Sequence, residues 1–276
     1  MNRNFLKKVF KKNNYIIEDM KLKSQEIYSN YSSTKKKSCS LNSIALKTLF
    51  LFCCTALGIL ISDILLFRYM KMNINKSNSY SFISILLISC SLIQCFLFIL
   101  SNKISLNYQK IIATIIAFVE GITLSCFFNL LKMYYSNLIY GIILAFFSTI
   151  ALFLIVQFLY INNIITVNNK FKVFAIVSCL ILILTQFIIN IFLYFTHFQI
   201  SRTNNLFFLI VSLCFLIMGC MNLAIDFDDA NFIVSHQLHK DNEWRIALGF
   251  HMNLIFIFIR CILILIELGF LKKDSN

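Results

Sequence analysis

Seven long apolar runs dominate the chain, and short polar segments separate them. Each run has about 20 residues or more, which is the length that a helix needs to cross a bilayer. Their length and continuity favour helices over strands. The pattern therefore predicts an all-α integral membrane protein, a bundle of seven transmembrane helices. The runs are Ile44–Phe67, Phe82–Leu100, Ile111–Leu131, Leu138–Ile161, Phe171–Phe195, Leu206–Asp229 and Ile246–Leu271.

The composition agrees with a membrane protein. Hydrophobic residues make up 59% of the 276 residues, and charged residues make up 13%, whereas soluble domains average about 25% charged. A soluble globular enzyme and a disordered chain are both excluded. The chain contains no proline, so a proline kink is excluded in every predicted helix.

The net charge of +13 is concentrated before the first apolar run. We predict three parts: a basic, disordered tail over 1–43, a transmembrane domain over 44–271, and a short C-terminal tail over 272–276. The basic tail places the N-terminus in the cytoplasm, because positive segments stay on that side. Its expected partners are anionic membrane lipids and, through the tail, other proteins, but not nucleic acid.

Ionisable residues inside apolar runs are costly and are therefore the first functional candidates. Glu120 lies in the middle of the third run, beside a stripe of small residues that lets helices approach closely. Either it is an inert interhelical hydrogen-bonding group, or it has a function. Asp63, near the end of the first run, is expected to reach the interface. The stripe consists of Ala113, Ala117, Gly121 and Ser125.

The sixth and seventh runs each carry polar residues on one face. Asp226 and Asp229 are three residues apart, and clustered carboxylates suit a hard cation such as calcium. Both are candidate calcium ligands, although Asp229 could instead mark an aqueous helix end. Asn253 and Arg260 are seven residues apart in the last run. Arg260 requires an anion, and Glu120 or Asp226 would supply it.

No catalytic constellation and no cofactor motif occurs, so we expect neither enzymatic activity nor a resident cofactor. The ten cysteines show no metal-binding spacing and are expected to be small buried hydrophobes. The pair His236 and His239 is expected to be a solvated loop rather than a zinc site. Gln186 and Asn190 of the fifth run are expected to form interhelical hydrogen bonds.

Several short motifs follow one another in a recognisable order. Asn222-Leu-Ala-Ile-Asp-Phe-Asp228 precedes Glu243-Trp-Arg-Ile-Ala-Leu-Gly249, Lys47-Thr48 opens the first run, and Glu120-Gly121 lies in the third. Together with Lys170-Phe171 and Asn190, this order resembles Bax inhibitor-1-like membrane proteins, more narrowly their bacterial-type branch. The resemblance covers about residues 40–271.

The resemblance implies a seven-helix bundle that leaks calcium and suppresses stress-induced cell death. It implies gating by two acids, on the sixth and seventh helices, that respond to protons and calcium. Asp226 matches the first acid, but Asn253 stands at the position of the second. Arg260 stands where the branch carries Glu. Both departures remove negative charge from the implied ion path.

Two functions therefore compete. The first is a pH-sensitive calcium leak in which Asp226, Asp229 and Glu120 contact the ion, Asn253 supplies a neutral oxygen, and Arg260 closes the path. The second is a non-conducting membrane scaffold that binds proteins through its tail. A seven-helix receptor is remote, because its usual final proline-bearing helix is missing. The resemblance favours the endoplasmic reticulum or Golgi and leaves open an organelle of bacterial origin.

Overall fold

The computed structural model describes residues 39–72, 76–101, 108–132, 134–135, 137–196 and 205–271; at 70–72, 76–80, 186, 188–196 and 205 it describes the backbone alone. The predictions for residues 1–38 and 272–276, and for the side chains of Gln186 and Asn190, lie outside this description. The described part contains seven long helices, as predicted. They are α1 Leu41–Met72, α2 Lys76–Ser101, α3 Gln109–Lys132, α4 Leu138–Ile161, α5 Asn169–Thr196, α6 Asn205–Ser235 and α7 Asn242–Glu267.

The chain is an all-helical integral membrane protein. Six helices are long and apolar enough to cross a bilayer among the described residues, namely all except α5. Of the seven predicted spans, six are therefore confirmed as long and apolar enough to cross a bilayer, and the span in α5 is not. Large apolar side chains on the outer faces are exposed, as lipid contact requires, for example Leu92 and Phe96 of α2 and Phe147 of α4.

Helices α1 and α3 cross at very short range, and the small-residue stripe of α3 faces α1. A Cβ atom added at Gly58 would lie 2.5 Å from the Phe118 carbonyl oxygen and 3.2 Å from the Cα of Gly121. Ala117 and Ser125 are fully buried. The predicted close approach is confirmed, since only glycine at both crossing positions allows these two backbones to touch.

Helix α7 lies at the centre of the bundle. It packs against α1, α3, α4 and α6, while α2 packs on α3 and α5 on α6. Residues on different faces of α7 therefore meet different neighbours. Two residues that are two positions apart on a helix point about 200° apart. Polar residues at adjacent levels of α7 can thus belong to separate sites.

A buried ion pair between Lys47 and Glu243 joins the beginning of α1 to the beginning of α7. We call this pair and the residues around it the Lys47–Glu243 cluster (Cys39, Ser40, Ser43, Lys47, Glu243). Lys47 Nζ lies 2.6 Å from Glu243 Oε2, and the Ser43 hydroxyl donates to the same oxygen at 2.5 Å. The Ser40 amide donates to Glu243 Oε1 at 2.8 Å. Every oxygen of this carboxylate is satisfied.

Candidate functional site

A row of paired side chains follows the contact between α6 and α7, and we call it the α6–α7 seam. Near one end of the seam an acid contacts an amide, in its middle a guanidinium lies on aromatic rings, and at the other end an acid accepts from a serine. The residues are spaced so that each helix presents them on one face. The seam consists of Ser212, Phe215, Gly219, Asp226, Gly249, Asn253, Phe256, Arg260 and Glu267.

Asp226 of α6 and Asn253 of α7 meet in this seam. The Asn253 amide donates to Asp226 Oδ2 at 2.5 Å. Gly249 allows the approach, because a Cβ atom there would lie 2.9 Å from Asp226 Oδ1. The structure thus brings together the two residues at the positions that the motif resemblance assigned to the gating pair.

The Arg260 guanidinium lies on two aromatic rings, and the acid that acts on it is Glu267 rather than Glu120 or Asp226. Its guanidinium carbon lies 4.0 Å from the ring centre of Phe215 and 5.1 Å from that of Phe256. The expectation that Arg260 pairs with Glu120 or Asp226 is therefore wrong. A planar guanidinium stacks well on aromatic faces, and Phe256 lies four residues earlier, where an α-helical side chain points.

Glu267 forms no direct salt bridge among the described side chains, and Arg260 attracts it from a longer distance. The Ser212 hydroxyl donates to Glu267 Oε1 at 2.9 Å, and Oε2 has no partner in the described part of the chain. Arg260 Nε is likewise buried without a partner there. The two residues lie seven positions apart on α7, which corresponds to a backbone rise of about 10 Å.

Asp229 lies at the rim of the seam, where Lys172 contacts it. Lys172 of α5 contacts Asp229 at 2.7 Å and Asp228 at 2.9 Å. Helix α6 continues to Ser235, so it does not end at these acids, although both are partly exposed. Exposed pairs of this kind contribute little to stability.

A calcium site built from Asp226 and Asp229 stays a prediction. Within the described residues, no group of three or more His, Cys, Asp or Glu side chains is arranged to hold a metal ion. His236 and His239 are both exposed, and His239 contacts Asp241 at 3.1 Å. An ion at Asp226 would have to complete its shell with backbone or amide oxygens, or with water.

Glu120 belongs to a second polar site on another face of α7. Its Oε2 lies 3.3 Å from His251 Nδ1, and His251 Nε2 lies 2.7 Å from the Thr55 hydroxyl. Glu120 is 7% exposed and His251 is fully buried. Glu120 therefore faces His251 of α7 and Gln94 of α2 rather than the α6–α7 seam. We call Glu120, His251 and Thr55 the α1–α3–α7 junction.

Asp63 is half-buried and links α1 to α3 by hydrogen bonds, while its expected approach to the interface stays a prediction. The Ser125 hydroxyl and the Asn129 amide both donate to Asp63 Oδ1, at 2.5 and 2.8 Å. The last member of the small-residue stripe thus also serves as a hydrogen-bond donor between α3 and α1.

Sequence reasoning missed His251 and the role of the pair Lys47 and Glu243. A single histidine in an apolar run gives no signal of its partner, which lies far away in the chain. Lys47 and Glu243 are 196 positions apart. The motifs contain both residues but do not indicate that they form a pair. The available signal was a lysine within the first turns of a span.

Comparisons with known proteins agree with the motif order. A family model described as Bax inhibitor 1 like matches residues 18–269. The match includes all seven helices and begins inside the basic segment, earlier than the motifs alone indicated. It confirms the resemblance at the level of the family, while the bacterial-type branch stays a prediction. No curated protein matches the chain.

Proposed function

The chain belongs to the Bax inhibitor 1 like family, and from that premise we propose that it is a pH-sensitive calcium leak protein that acts in ion homeostasis and the control of stress-induced cell death. Calcium is the transported ion rather than a resident cofactor. The proposal assigns the ion path to the α6–α7 seam. It assigns no catalytic reaction to the chain.

One observation carries the proposal: the contact of 2.5 Å between Asn253 Nδ2 and Asp226 Oδ2 in the seam. An acid inside a transmembrane span is energetically costly, and such residues typically mark ion pathways. Asp226 would bind the ion, and Asn253 would turn its amide so that the oxygen faces the ion. In the arrangement described here the amide nitrogen faces Asp226, so an entering cation has to displace it.

The rest of the seam supports a gated path. Lys172 covers Asp229 at the rim, and the Arg260 guanidinium lies on the rings of Phe215 and Phe256. A fixed positive charge in a narrow apolar passage repels cations. Arg260 would therefore close the path while its guanidinium lies on the two rings. Opening would require the guanidinium to move toward Glu267.

We propose that α5 is the seventh span and that the N-terminus is cytoplasmic. Lys172 near the start of α5 contacts Asp228 and Asp229 near the end of α6. Because α6 crosses the membrane, its beginning lies on the opposite side. The chain between Lys172 and Asn205 must then cross, and its 28-residue helix α5 is long enough. A glycosylation tag or a membrane-impermeant thiol probe at each terminus tests this topology.

The flux experiment uses the full-length chain in liposomes that contain a calcium dye, at neutral and acidic pH. We expect protein-dependent calcium influx, reduced several-fold by Asp226→Asn, since the variant loses the charge that attracts the cation. Asp63→Asn is the matched control, because it removes a half-buried acid between α1 and α3, away from the seam, and should leave influx unchanged. Equal effects of the two variants would contradict an ion site at Asp226.

A non-conducting scaffold is the second candidate, and Asn253 favours it, because an amide replaces the second acid of the gate. It would bind partner proteins through the basic segment. No influx at either pH with folded protein, together with loss of cellular function on deletion of residues 1–40, would support the scaffold. Localisation to the endoplasmic reticulum or Golgi, or to an organelle of bacterial origin, is tested by imaging a tagged chain.

A further inference from the structure

The α1–α3–α7 junction contains two buried polar atoms that face each other without a hydrogen bond of good geometry. Glu120 Oε2 and His251 Nδ1 lie 3.3 Å apart, and neither has another partner in the described part of the chain. If neither atom carried a hydrogen, two lone pairs and an uncompensated negative charge would be buried in the middle of the bilayer. That arrangement is very costly.

The other side of the imidazole ring indicates where its hydrogen lies. The Thr55 hydroxyl donates to the Leu51 carbonyl oxygen at 3.0 Å. We assign its single hydrogen to this bond, so that in the contact of 2.7 Å with His251 the ring donates from Nε2. A neutral ring that is protonated at Nε2 has a lone pair at Nδ1. One more proton is then needed between Nδ1 and Glu120 Oε2.

We propose that Glu120 and His251 form a proton-binding site that holds one proton between Oε2 and Nδ1, separate from the α6–α7 seam. The ligand is a proton, and the occupied pair is neutral overall. Thr55 and Phe52 face the pair from α1 and Gln94 faces it from α2. No other charged side chain acts on either member within the described residues.

Proton binding at this junction would hold three helices together. Glu120 lies on α3, Thr55 on α1 and His251 on α7, beside the close crossing at Gly58 and Gly121. Loss of the proton leaves a buried carboxylate against an imidazole lone pair, so the contact between α3 and α7 weakens. Asn253, two residues after His251, faces α6, so the proton site and the seam share α7. The inference does not depend on calcium conduction.

The test is the pH dependence of thermal unfolding of the full-length chain in detergent, followed by the fluorescence of its one tryptophan. At pH 7 and above, an unfolded chain has an ionised glutamate and a mostly neutral histidine, so folding takes up one proton. Stability therefore falls as pH rises above about 6.5, by up to about tenfold per pH unit in the unfolding constant.

Glu120→Gln isolates this site, because its amide can donate to Nδ1 at every pH without binding a proton. We expect the variant to lose that part of the slope, with the largest gain over the unmodified chain at alkaline pH. Asp226→Asn is the control and should retain the slope that depends on Glu120. A slope that Glu120→Gln leaves unchanged would overturn the proposal.

Nuclear magnetic resonance of the unmodified chain, labelled with ¹⁵N at histidine, decides the matter if Glu120→Gln does not fold. We expect the His251 Nδ1 signal to report a hydrogen-bonded nitrogen that does not change between about pH 6 and 8. A His251 ring whose nitrogen signals change over this pH range would refute the shared proton.

Discussion

Two buried glutamates in this bundle are held in opposite ways. Glu243 accepts from the Ser40 amide at 2.8 Å, the Ser43 hydroxyl at 2.5 Å and the Lys47 ammonium at 2.6 Å. Glu120 faces His251 at 3.3 Å, and its Oε2 has no hydrogen-bond partner within the described residues. Glu243 lies in the first turn of α7 and Glu120 lies on α3, which packs against α7, and both are nearly inaccessible to solvent.

The difference distinguishes an anchor from a responsive site. A carboxylate with several donors and a lysine stays charged and rigid, so the Lys47–Glu243 cluster fixes the start of α1 to α7. A carboxyl whose only charged neighbour is a histidine can change its charge state with pH. Asp226, with a neutral amide as its contact, resembles Glu120 more than Glu243 in this respect.

The largest effect is expected from breaking the anchor. Lys47→Met leaves the Glu243 carboxylate buried without its cation, and loss of one partner of a buried pair costs about 3–5 kcal/mol. We expect a large fall in the thermal midpoint, measured by circular dichroism in detergent. Adding Glu243→Leu to Lys47→Met should recover most of the loss. A single variant as stable as the unmodified chain would contradict the role of anchor.

Restoring the second acid should have the next largest effect. In Asn253→Asp two carboxyl groups would meet where the amide now lies 2.5 Å from Asp226. One proton would be shared at low pH, and repulsion between two ionised groups would separate α6 and α7 at high pH. We expect calcium influx to rise with pH, by up to about tenfold per pH unit over the titration of the pair.

Asn253→Ala is the control for this change, since it removes the donor without adding an acid. It should alter influx equally at every pH. If Asn253→Asp and Asn253→Ala gave the same pH profile, the seam would not be the site of proton control. The responsive behaviour would then be confined to the α1–α3–α7 junction.

Features that depend on local sequence patterns could be predicted, whereas contacts between distant residues could not. Apolar run length located the helices, and the stripe around Gly121 indicated the close crossing with α1, because both are local patterns. Asp226 and Asn253 could be placed on facing helices from motif order. His251 could not be found, since its partners lie on α1 and α3. Arg260 was misjudged because the search for an anion ignored the rings of Phe215 and Phe256.

A smaller effect is expected at Gly249, which separates packing from charge in the seam. In Gly249→Ala the new Cβ atom would lie 2.9 Å from Asp226 Oδ1, so the carboxyl has to shift. Overpacking of this kind costs about 1–3 kcal/mol. In an Asp226→Ala background the same change should cost much less. Equal losses in thermal midpoint in both backgrounds would exclude the contact as the cause.

The smallest effect at neutral pH belongs to Cys39 in the Lys47–Glu243 cluster. Its thiol donates to the Leu238 carbonyl oxygen at 3.1 Å, and burial, with Glu243 adding to it, raises the pKa of Cys39 to about 11. Cys39→Ala should cost about 1 kcal/mol or less at pH 7.

The pH range over which stability falls, rather than the sign of the change, distinguishes Cys39 from the proton site at Glu120. The folded chain keeps the Cys39 proton up to about pH 11, whereas an unfolded cysteine loses it near pH 8.5. The thiol's contribution is complete below about pH 8.5 and is lost as pH rises toward the folded value. The midpoint of the unmodified chain should therefore approach that of Cys39→Ala only above about pH 8.5, two units above the onset expected for Glu120 and His251. If the difference between the two thermal midpoints disappeared already at neutral pH, the Cys39 thiol would not keep its proton in the folded chain. The Lys47–Glu243 cluster would then also respond to pH.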